Sequence, residues 1–247
     1  MPFAETPLRD EYAAAVERVA RRTLDALRGD GGTAALADPD GAVPRPTLAA
    51  LRVLGADLFA PQLLAGAAPD GPTSVLLAEA RQAFPAPDSA AASADAALVI
   101  AWQDWAAGQV LARTPYGTGA PPPVPPPGPE AVGWQTWSVR MAQLSVLALP
   151  GLDGPVHDTA RAHTLALARG TVRSMLRRDL PTAARLTRWL AWAGAEGRPL
   201  RLEVEPVLER IRLAGNGSAR TGLELAVARR LLDRSSRPPT DRRSRVR

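Results

Sequence analysis

The two histidines of this chain share one seven-residue run, His157-Asp158-Thr159-Ala160-Arg161-Ala162-His163, and imidazole is the side chain that ordinarily titrates nearest neutrality. Acid–base chemistry has its natural seat there. His157, near a helix start with Asp158 beside it and Arg161 four residues on, has the makings of a base oriented by a carboxylate. A solvated first turn explains the same residues and is preferred, because an aspartate near a helix N-terminus is already favoured by the helix dipole. The six-residue separation turns the imidazoles about 240° apart around a helix, so they do not form the i, i+4 pair that shares a metal, and no metal site is expected. Asp104, on an otherwise apolar segment, completes the catalytic candidates Asp104, His157 and His163.

All six tryptophans fall into three Trp-x-x-Trp pairs, Trp102/Trp105, Trp134/Trp137 and Trp189/Trp192. A helix puts residues three apart on one face, so three helices each present a double indole. Core packing is the preferred reading. The alternative is the wall of a pocket for an apolar or aromatic small molecule, with Trp102, Trp105, Trp134, Trp137 and Arg140 as ligand-binding residues. Asp104 and Arg140 fall on apolar stripes of successive helices, and a buried charge is costly unless paired, so an Asp104–Arg140 ion pair is expected where those helices meet.

Arg169, Arg173 and Arg177 recur every four residues, a stripe suited to phosphates or to a solvated helical face. No helix-turn-helix, RNP or zinc-finger pattern accompanies it, which favours the solvated face over nucleic acid. Residues 215–220, Gly-Asn-Gly-Ser-Ala-Arg, place glycines before a helix N-terminus, a weak anion-site motif that an ordinary turn and N-cap also explain.

Composition excludes more than it suggests. The 30 basic residues are all arginine, as in a high-GC bacterial genome, so Schiff-base, P-loop and kinase-type lysines are absent; with no cysteine there is no thiol nucleophile or Cys-ligated metal within the chain. No cofactor is expected. No secretory signal opens the chain and no apolar run of the roughly 18 residues that span a bilayer is apparent, so the expectation is a cytoplasmic protein without a membrane partner. Residues 1–130 carry 9 Arg against 15 acidic residues, net −6, and residues 131–247 carry 21 against 10, net +11. Mutual attraction of the halves is preferred to a dedicated polyanion surface.

Periodicity and punctuation predict helices over 6–28, 47–60, 72–83, 95–113, 131–149, 155–178, 181–195, 206–214 and 221–232, with 95–113, apolar nearly all round, at the centre. The expected fold is all-α, an irregular or orthogonal bundle of seven to nine helices. Its organisation is an acidic helical region 1–113, a proline-rich connector 114–130, a basic helical region 131–233 packing on the first, and a disordered arginine-rich tail 234–247. Three functions fit: first, a helical interaction or accessory protein without catalysis, bound to a protein partner; second, a small-molecule enzyme or binder of specialised metabolism; third, a polyanion- or nucleic-acid-binding protein using the arginine stripe and tail. The first is favoured because reactive side chains are few.

Overall fold

The computed structural model describes residues 5–29, 43–86, 93–116, 125–126, 133–215 and 217–235. The core of the proline-rich connector, Asn216 and residues 236–247 of the expected tail lie outside them. The described residues are all-helical, without strands. Eleven α-helices follow in order: α1 (Glu5–Arg28), α2 (Arg45–Leu54), α3 (Ala60–Ala65), α4 (Gly71–Ala83), α5 (Ala94–Leu111), α6 (Trp134–Gln143), α7 (Pro155–Ala162), α8 (Thr164–Leu176), α9 (Leu180–Ala195), α10 (Val204–Ala214) and α11 (Ala219–Ser235).

The count exceeds seven to nine because the expected helix 155–178 breaks in two and a further short helix, α3, follows the expected helix 47–60. Gly55, at φ +51°, turns the end of α2 into the short 3-10 segment Gly55–Phe59 before α3 begins. His163, at φ −119° and ψ 37°, ends α7 with its N–H on the Thr159 carbonyl and starts α8 in a new direction. The stretch Arg45–Ala65 amends a second expectation. By length and composition it is apolar enough to cross a membrane, but two-thirds of its apolar window (67%) is buried inside the protein, and it carries Asp57 in its middle. It is a broken core helix.

The helix at the centre is α9 rather than α5. From Ala183 to Ala193 only Arg185 escapes full burial, and α9 packs against α6, α7, α8, α10 and α11. The first turns of α5, by contrast, are partly exposed, and only from Trp102 onward is its face buried. The arginines of α9 disguise it: Arg188 reads as polar in the sequence yet is wholly enclosed. Close approach of α8 to its neighbours depends on Gly170, where an added Cβ would stand 2.6 Å from Ser138 Cβ of α6 and 3.0 Å from Leu186 Cδ1 of α9. The N-terminal and C-terminal regions meet where α1 lies along α11. There Glu17 of α1 accepts from Ala219 N at 2.6 Å and Ser218 Oγ at 2.7 Å, so the N-terminus of α11 meets the protein's own carboxylate.

Candidate functional site

Three constellations invite chemistry, and the structure treats them differently. His157 is enclosed by Trp105, Trp189 and Trp192, with ring centroids 6.4, 5.5 and 5.1 Å away. Its Nε2 lies 2.9 Å from the Leu147 carbonyl, an acceptor, so Nε2 carries the proton. Burial pushes its pKa below the ordinary value, against the opposing pull of that hydrogen bond and of Asp153. The neighbouring Asp158 is exposed and serves Arg161, which also reaches Asp153 at 2.9 Å and Glu196 at 3.3 Å. Among the described residues no carboxylate orients His157, and the side chain is wholly buried, so the solvated first turn expected there is a buried aromatic cage. His163 packs on a different indole, edge-on to Trp137 at 5.4 Å. Among the described residues no cluster of three metal-ligating side chains occurs.

The expected Asp104–Arg140 pair does not form. Asp104 takes Arg52 at 2.6 Å and Arg81 at 3.7 Å, and Arg140 takes Asp95 at 2.8 Å. Asp104 thus faces Arg52 of α2 and Arg81 of α4, while Arg140 of α6 reaches Asp95 in the first turn of α5. Trp102, Trp105 and Trp137 are core residues, as are Trp189 and Trp192; Trp134 alone is half-exposed.

The second constellation escaped the sequence reading. Arg188 is fully buried, with Nη2 2.7 Å from Asp57 and Nη1 2.9 Å from Glu224, and its Nε donates to the Ala148 carbonyl at 3.2 Å. Arg220 closes the ring, 3.2 Å from Asp57 and 3.5 Å from Glu224, and Ser145 Oγ donates to Glu224 at 3.0 Å. Burial pushes the Glu224 carboxyl up, but Arg188, Arg220 and Arg185 together hold it below its usual range. Every charge has its counter-charge inside the protein, and the cluster ties the 3-10 segment, α9 and α11 together.

The third is the outer face of α8. Its inner face buries Leu167, Ala168, Thr171 and Ser174. The outer face carries a second apolar stripe, Leu165 (47% exposed), Val172 (44%) and Leu176 (81%). The stripe floors a groove of about 570 Å³ completed by Trp134 of α6, Ala168, Arg169, Arg173, Arg201 and Leu202. Arg173 lies over the Trp134 ring, 5.8 Å from its centroid. Trp134, for which a ligand wall was the alternative to core packing, and Arg169 and Arg173, for which a phosphate stripe was the alternative to a solvated face, thus line one groove. Arg177 follows at the C-terminal end of α8.

No family model, curated protein or solved structure matches this chain. Its function is therefore read from the site alone.

A helix needs one apolar face to pack, and α8 has two. Among the described residues Arg169, Arg173, Arg177 and Arg201 have no carboxylate within ion-pair distance, whereas Arg161, Arg188, Arg212, Arg220 and Arg229 all do. Scattered exposed apolar residues are ordinary; here they are contiguous along one helix and lie beside arginines that have no carboxylate partner among the described residues. The residues that line the groove are apolar side chains, one indole and three arginines, groups suited to hydrophobic contact and to pairing with anions.

Proposed function

We propose that this chain is a non-catalytic helical interaction protein whose working surface is the outer face of α8. The observation that carries the reading is the second apolar stripe, Leu165, Val172 and Leu176, on a helix whose opposite face already satisfies the fold. Such a stripe is stable in water only at the cost of exposed hydrocarbon, and burial by a partner recovers about 25 cal/mol per Å² of it. The small-molecule alternative loses support because five of the six indoles are in the core, which leaves a single tryptophan in the groove. Val172→Glu and Leu176→Glu test the proposal in the whole chain. Both positions are exposed, so stability should change by no more than about 0.5 kcal/mol. Proteins retained by the wild type in gentle purification from its native cells should be lost from both variants; retention of the same set would refute the proposal.

A further inference from the structure

We infer that the occupant of this face is an amphipathic helix with an acidic flank, supplied by a partner protein; the inference rests on the docking reading above. The stripe gives the shape. Leu165 to Leu176 covers three turns of a straight helix, about 16 Å, and the groove lies alongside it against Trp134 and Leu202. That is the length and section of a helix of similar size laid in a groove, anchored by apolar side chains one or two turns apart.

The arginines give the sign. Arg169 and Arg173 of α8 and Arg201 of the segment before α10 line the groove together with its apolar floor. An apolar or basic partner would desolvate them without compensation, which is unfavourable. Carboxylates on the flank of the incoming helix remove that penalty and add planar, bidentate pairing. A nucleic-acid backbone satisfies the arginines equally well but gains nothing from Leu165, Val172 and Leu176, which would stay wet or strip water from phosphates. The floor therefore decides between the two.

The site also extends. Leu176 is shared with a second hollow of about 650 Å³, walled by Met175, Leu180 and Pro181 with Arg178 and Arg210 at its edge. Arg178 and Arg210 likewise have no carboxylate partner among the described residues. An occupant running past the end of α8 meets the same pairing of apolar wall and free arginine there. Its acidic, apolar pattern continues over that end.

A photo-reactive phenylalanine derivative placed at Val172 in the full chain, expressed in its native cells, tests this when the cross-linked residues are mapped. The same derivative at Val53, an exposed apolar position on α2, serves as control. The expected product is one protein segment with apolar residues at helical spacing and Asp or Glu beside them. A synthetic peptide of that segment should bind the purified chain with affinity that falls as salt rises, and by about tenfold or more on Val172→Glu and on the double change Arg169→Glu, Arg173→Glu. Cross-links into basic or neutral segments, or into nucleic acid or lipid, would overturn the acidic-helix inference. Cross-linking no stronger than at Val53 would overturn the docking reading itself.

Discussion

Arg188 in the interior and Arg169 and Arg173 on the outer face of α8 carry the same charge under opposite conditions. Arg188 has traded water for Asp57, Glu224 and two backbone carbonyls, and every partner comes from within the chain. Arg169 and Arg173 keep their water and stand beside hydrocarbon the fold does not cover. Charges completed internally hold elements together, whereas charges left incomplete next to an apolar stripe are available to something outside.

The largest effect should come from breaking the interior side of that contrast. Arg188→Met leaves Asp57 and Glu224 buried with one cation fewer and is expected to cost about 3–5 kcal/mol, read as a large fall in thermal midpoint. Replacing Arg188, Asp57 and Glu224 together by apolar residues should recover much of that loss. Gly170→Ala comes next, at about 1–3 kcal/mol, because its Cβ meets Ser138 Cβ at 2.6 Å and Leu186 Cδ1 at 3.0 Å. Its chemical-denaturation midpoint should drop while the α8 outer face is untouched.

Smaller effects sharpen the map of pairing. Arg52→Ala and Asp104→Ala should be non-additive by about 1 kcal/mol in a double-mutant cycle, and Asp104→Ala with Arg140→Ala should be additive. Equal coupling in both cycles would contradict the observed pairs. His157 supplies a pH test. Its folded pKa is depressed by burial, so the unfolded chain binds the proton more readily; stability is complete above the unfolded value of 6.5 and falls as pH drops below it toward the folded pKa. The slope in that window should approach at most about 1.4 kcal/mol per pH unit and flatten in His157→Leu. A wild-type midpoint unchanged from pH 7 to 5, with no difference from the variant, would sink this assignment.

Much of the helical content was legible because it is local. Helices expected from 72, 95 and 155 begin at Gly71, Ala94 and Pro155, and paired tryptophans marked three helices that contribute indoles to the core. What the sequence hid is what depends on partners far along the chain. Arg188 and Asp57 are 131 residues apart, so nothing local tells a buried arginine on α9 from the basic flank around it. His157 failed for the same reason: its aromatic cage comes from α5 and α9, whereas its neighbour Asp158 pointed to solvent. Arg234, expected in the tail, lies in α11 and donates to the Leu64 carbonyl at 2.5 Å. The outer stripe of α8 was present as the spacing of Leu165, Val172 and Leu176, but a second apolar stripe becomes visible only once the first is known to be buried.

Native mass spectrometry of the wild type and Leu176→Glu, each purified gently from native cells and melted in parallel, tests the central claim most directly. The account predicts a protein partner on the wild type that is absent from Leu176→Glu, with the two chains melting alike. A partner retained by Leu176→Glu, a small-molecule adduct in place of a protein, or a large loss of stability in the variant would show that the outer face of α8 is not the docking surface.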